Sequence, residues 1–136
     1  MNTILIDSNV IMDVFEDDPN WGDWSEAMLD QYAETHTLCI NSVIYAEVSI
    51  GFEYPEEVEA AFKGGGFEMK EIPRAALFRA GKAFLEYRRR GGTRTLPLPD
   101  FFIGAHAEIV GMPLMTRDSQ RFKTYFPQVH VISPDV

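Results

Sequence analysis

Four acids in this 136-residue chain fall where a run with strand character gives way to one with helical character: Asp7, Glu47, Asp100 and Asp118. Asp7 closes the apolar run TILID (3–7), and Asp118 follows MPLMT (112–116) by one residue. Asp100 falls in the first turn of a helix opened by Pro99, and Glu47 about one turn into the helix that follows TLCIN (37–41). Strand carboxyl ends in an open parallel α/β sheet share one edge, so these positions bring all four acids to that edge or one turn beyond it. Carboxylates gathered there repel one another unless protonated or bound to a cation. Hard divalent ions with oxygen ligands, Mg2+ or Mn2+, one or two of them, match that donor set. Such an ion keeps part of its water shell, lowers the pKa of that water and neutralises charge on a phosphodiester.

Each acid alone has an ordinary explanation. Asp is favoured at helix starts whatever its function, and Glu47 could be a solvated helix residue. Its neighbours Val43, Ile44, Ala46, Val48 and Ile50 read as buried, however, and a charge in apolar surroundings needs a partner. The joint pattern carries the argument. No Ser–His–Asp or Cys–His arrangement competes with it, because His36, His106 and His130 are not near a plausible nucleophile. His106, between Ala105 and Ala107, reads as packed or exposed rather than as a ligand. Cys39 is the single cysteine; it excludes an intrachain disulfide and reads as a buried spectator thiol.

The elements that would position these acids can be read from periodicity. Ser8 offers a cap for a helix through NVIMDVFED, and residues 22–35 place Trp24, Ala27, Met28, Gln31 and Tyr32 near helical spacing. Ser42 can cap a helix over VIYAEVSIGF, Pro55 starts another, and the glycines at 64–66 end it. FEMKEI (67–72) alternates like a strand. Residues 74–90 form the longest helix, with Leu77, Phe78, Gly81, Phe84 and Leu85 as its apolar stripe. Residues 91–99 read as a loop, the helix from Pro99 closes at Gly111, SQRFKTYF is a helical turn and VHVIS a last strand. Strands alternating with helices, with no repeat or long linker, predict one α/β domain over 1–136 around a parallel sheet.

Hydrophobic residues make up 46% of the chain, which is globular rather than disordered composition. The first apolar stretch lacks a preceding basic residue and is interrupted by Asp7 and Asp13, so the reading is a cytoplasmic protein with no membrane span. A net charge of −9 argues at first against a nucleic-acid partner. The distribution reverses that argument: residues 1–62 hold 14 Asp and Glu with no Lys or Arg, and residues 63–136 hold all 12 Lys and Arg with 7 acids. A polyanion could lie along the basic half while cations relieve the acidic one. Arg88, Arg89 and Arg90, with Arg94 in the next loop, could grip the phosphate backbone of such a polyanion beside Asp100. They could also merely complement a helix C-terminus.

The segments ILIDSNVIMDVF (4–15), NSVIYAEVSIG (41–51), LPDFFIGAHAEIVGMPLMTRDSQRF (ending at Phe122) and the terminal VHVI resemble the PIN-domain proteins, specifically the VapC toxin type. The third segment is the most specific, with its D-x-x-I-x-A helix and G-x-P-L-x-T-x-D strand. The resemblance covers essentially the whole chain and implies a three-layer fold around five parallel strands in the order 3-2-1-4-5. It also implies Mg2+- or Mn2+-dependent endonucleolytic cleavage of RNA, leaving 5′-phosphate and 3′-hydroxyl ends. Asp7, Glu47, Asp100 and Asp118 match the family's acidic quartet, with Asp7 and Asp100 as the most direct metal ligands. Asn9 and Thr116 match its supporting polar positions. A small VapB-like antitoxin encoded alongside, and a homodimer, are the partners implied. Trp21, Trp24, Met28, Ile44 and Phe52 could line the antitoxin's groove. Three other readings stay open: a housekeeping RNA-processing nuclease of this fold, a non-catalytic binding module, and a receiver-like domain. The last is disfavoured because the acids are spread to both ends of the chain.

Overall fold

Ile4, Leu5 and Ile6 are consecutive and fully buried, as a strand covered on both faces requires. They belong to β1 (Asn2–Ile6), the central strand of an all-parallel sheet in the computed structural model, which describes residues 2–91 and 98–134. The other strands are β2 (His36–Ile40), β3 (Glu68–Met69), β4 (Leu114–Met115) and β5 (Val131–Ile132). Their order is β3-β2-β1-β4-β5, the order the resemblance implies. Leu5 stands between Cys39 and Leu114, and Ile6 pairs with Met115. The strands that follow one another in sequence part company between β1 and β4, and such a switch opens a crevice at the carboxyl edge.

Helices α1 (Ser8–Phe15), α2 (Gly22–Ala33), α3 (Ser42–Ser49), α4 (Pro55–Gly64), α5 (Arg74–Arg89), α6 (Leu98–Val110) and α7 (Gln120–Lys123) complete the described elements. Two strands run into their helices with no intervening loop. The caps of α1 and α3 are Asp7 and Asn41, one residue earlier than the serines the sequence suggests. Both have extended backbones, and their side chains accept from the N–H groups of Ser8 and Ile44. Asp7 is therefore at once the residue after β1 and the cap of α1.

The apolar stripe expected on α5 is overturned. Ala76, Ala80, Ala83 and Tyr87 are its buried face, while Leu77, Phe78 and Leu85 are exposed, Phe78 by 68%. The three alanines let α5 lie close along α6, and the bulkier side chains turn outward. Phe84 and Tyr87 of α5 meet Phe101 of α6, which also packs on Tyr125 and Phe126. Arg79 ties the same region, pairing with Glu108 at 2.7 Å and donating from Nη2 to the Tyr125 carbonyl at 2.7 Å. Together they fix α6, whose first turn carries Asp100. Gly111, at φ +72°, ends that helix in the left-handed conformation glycine tolerates. Ile44 is fully buried in the core, so it does not line a surface groove, whereas Ala46 and Ile50 of the same segment are exposed.

Candidate metal centre

The register of β1 and β4 sets Asp7 beside Thr116, because Ile6 pairs with Met115 one residue earlier. The Asp7 N–H donates to the Met115 carbonyl at 2.9 Å. The Asp7 carboxylate accepts from the Ser8 N–H at 2.8 Å and from the Thr116 hydroxyl at 2.8 Å. Thr116 Oγ1 in turn accepts from Asn9 Nδ2 at 3.3 Å and from the Asp118 N–H at 3.2 Å, and Asn9 Oδ1 accepts from the Arg117 N–H at 3.3 Å. Thr116 thus holds Asp7, and Asn9 and Thr116 together hold the turn that presents Asp118. Ser8, which the sequence offered only as a cap, donates its hydroxyl to Glu47 at 2.9 Å and links α1 to α3.

Asp7 and Asp100 are 3% and 5% exposed, while Glu47 is half-buried and the Asp118 side chain is 43% exposed. Burial pushes the Asp7 carboxyl up to about 6, with its hydrogen bond from Thr116 opposing and the charge of Glu47 adding. Burial also pushes Asp100 up to about 7. Arg121 pulls it down, and Asp7, Glu47 and Asp118 push it up. The four acids therefore feel one another, although they are contributed by four separate segments. Asp100 Oδ2 is buried without a hydrogen-bond partner among the described residues. Among the described residues no three acidic, histidine or cysteine side chains are gathered closely enough to hold an ion as they stand. The donors still fit a hard divalent cation: all are carboxylate oxygens, two are desolvated, and one is orphaned.

Behind the acids, Asp13 is 3% exposed, accepts from the Ser25 hydroxyl at 2.7 Å and pairs with Arg117 Nε at 2.8 Å. Arg117 also lies over the Trp21 ring. His106 is buried against Asn41, its Nδ1 3.0 Å from Asn41 Nδ2, and burial lowers its pKa. It is packed, one of the two placements its flanking alanines left open. Arg88, Arg89 and Arg90 are exposed at the end of α5, where Arg90 pairs with Glu86 at 2.6 Å. Arg94 lies outside the described residues. Among the described residues the cation that does reach the acids is Arg121, whose Nε donates to Asp118 Oδ2 at 2.8 Å and whose Nη1 lies 3.5 Å from Asp100 Oδ2. Sequence reading missed it, and its spacing three residues after Asp118 was the available signal.

The family model described as PIN domain matches residues 4–126. No curated protein sequence matches the chain. Among solved structures, the chain is similar to VapBC2 from Rickettsia felis bound to a promoter DNA fragment. That match has a TM-score of 0.75 at 18% identity, covering 96% of this chain and 98% of that one. DNA-bound VapBC from Salmonella typhimurium matches at 0.70 and 21% identity, covering 98% of each chain. FitAcB from Neisseria gonorrhoeae matches at 0.70 and 19% identity, covering 97% and 98%.

Proposed function

The chain belongs to the PIN domain family, and from that premise we propose that it is a metal-dependent endoribonuclease acting as the toxin of a type II toxin–antitoxin pair. The observation that carries the catalytic part is Asp100 Oδ2, a buried carboxylate oxygen with no hydrogen-bond partner among the described residues, which feels the charge of the similarly buried Asp7. Asp7 and Asp100 would hold Mg2+ or Mn2+, with Asp118 and Glu47 completing the shell or holding a second ion. When bound, the ion supplies charge neutralisation at the phosphodiester and an activated water.

The chain's own residues do the positioning. Thr116 and the Ser8 N–H leave Asp7 little freedom to rotate, and Ser8 Oγ aims Glu47 from α3. Asn9 fixes Thr116, and the turn through Arg117 is clamped from below by Asp13. Supporting contacts of this kind commonly change metal affinity by about 10- to 100-fold. Arg88 and Arg89, exposed at the end of the helix before α6, offer charge to an RNA backbone.

The toxin role rests on the company the fold keeps, which includes a toxin–antitoxin complex from Klebsiella pneumoniae. A VapB-like antitoxin with a basic segment would suit the acidic N-terminal half. Val14, Phe15, Leu29, Leu38 and Phe67 line an apolar groove there, and Trp21, Trp24, Met28 and Phe52 of the same half are half-buried. The exposed Leu77, Phe78 and Leu85 offer a face for a second copy of the chain. Brief induction in cells followed by mapping of RNA ends tests the whole reading. Discrete new 5′-phosphate ends are expected, suppressed by co-expressing a small antitoxin gene if one is encoded beside this one. An unchanged pattern of ends would count against a ribonuclease, and cleavage indifferent to any neighbour would leave a housekeeping nuclease.

A further inference from the structure

Asp100 and Asp118 come from different elements, and one guanidinium spans them. Arg121 Nε donates to Asp118 Oδ2 at 2.8 Å, and Nη1 stands 3.5 Å from Asp100 Oδ2. That second oxygen is buried without a hydrogen-bond partner among the described residues, and the charge it faces there is the Arg121 guanidinium. The geometry points to Arg121 as the resident counter-ion of the carboxylate site, bridging Asp100 and Asp118 in the metal-free protein and displaced when a divalent ion binds. This inference rests on the carboxylates being a metal site and goes further, by giving the chain its own competitor for the ion.

Two features make displacement feasible. Arg121 sits on α7, a helix of four residues, and its side chain is 42% exposed. The guanidinium can swing into water without opening the core. A divalent ion cannot share Asp100 Oδ2 with it cheaply, because like charges at one desolvated oxygen repel. The bridge therefore stabilises the metal-free state and weakens metal binding by the same factor.

Isothermal titration of Mn2+ into the metal-stripped protein, paired with melting curves in EDTA, tests this without any substrate. Arg121→Gln should tighten the Mn2+ dissociation constant about five-fold, the scale of a partly exposed ion pair. The same variant should melt lower than wild type in EDTA. Arg121→Lys, which keeps the charge but cannot span two oxygens, should fall between them on both readouts. If Arg121 merely orients Asp118 for the ion, Arg121→Gln will weaken Mn2+ binding. Weakened or unchanged binding overturns the inference. If wild type binds no Mn2+ while an Asp100→Asn control behaves identically, the metal-site reading itself fails and takes this one with it.

Discussion

At the scale of single residues, Asp7 and Asp100 are acids that the protein holds in places where water cannot solvate their charge. Asp7 has a folded pKa of about 6, raised from 3.8. Its contribution to stability is thus full below the unfolded value and lost as pH rises through 6. The loss for a two-unit shift is about 3 kcal/mol. Asp100, at about 7, extends the same trend upward. The metal-free protein should therefore melt lower at pH 8 than at pH 5.5 as far as these groups decide, and Asp7→Asn or Asp100→Asn should flatten that slope. Melting in EDTA across this range checks it; equal slopes in wild type and variants would contradict the burial argument. Thr116→Val removes the hydroxyl that holds Asp7, so Mn2+ affinity should fall by about ten-fold or more, which calorimetry would read. The four acids could be singled out because strand ends and helix starts place them, whereas Asn9 and Thr116 came only from the resemblance. Ser8 and Arg121 were not legible, since their roles depend on which rotamers reach across from a neighbouring element.

At the scale of elements, each strand and helix was legible in place and type, and the errors lay in caps, in the buried face of α5 and in extent, with FEMKEI, MPLMT and VHVIS each reduced to two paired residues. Asp7 and Asn41 displaced Ser8 and Ser42 as caps because a strand-ending residue with an extended backbone already has the cap geometry. The α5 stripe failed for a different reason. Hydrophobicity marks candidates for burial, but close approach of two helices selects small side chains, and Ala76, Ala80 and Ala83 provide them. Ala80→Leu should therefore cost about 1–3 kcal/mol by overpacking, whereas Phe78→Ser should change monomer stability by under about 0.5 kcal/mol. Chemical denaturation of the two variants separates the readings, and the reverse ranking would restore the stripe to the core. Gly104 is a second tight point: a Cβ there would overlap the Phe126 ring. Gly104→Ala should destabilise the helix that carries Asp100.

At the scale of the whole molecule, the division of charge matters more than its sum. The acidic half contributes Asp7 and Glu47, and the basic half contributes Asp100, Asp118, Arg121 and the arginines that end α5. The sheet's switch between β1 and β4 is what brings the halves together at one edge. Charge reversal at Arg88 and Arg89 should raise KM for RNA and reduce its salt dependence, leaving kcat near wild type; unchanged KM would assign these arginines to the helix end alone. The exposed α5 face makes an oligomer testable as well, because Phe78→Asp should lower the mass seen by light scattering if a second copy covers it. What a sequence could not supply is the depth at which each acid sits, which separates Asp7 and Asp100 from Asp118 and Glu47. The central claim is that these acids cut RNA through a divalent ion. The direct measurement is incubation of the purified chain, free of any partner, with RNA and Mn2+, alongside EDTA and an Asp7→Asn/Asp100→Asn variant. Cleavage with 5′-phosphate and 3′-hydroxyl ends in Mn2+ alone, abolished by EDTA and in the variant, is the expected result. RNA left intact by the wild type, or cut equally well by the variant, would contradict it.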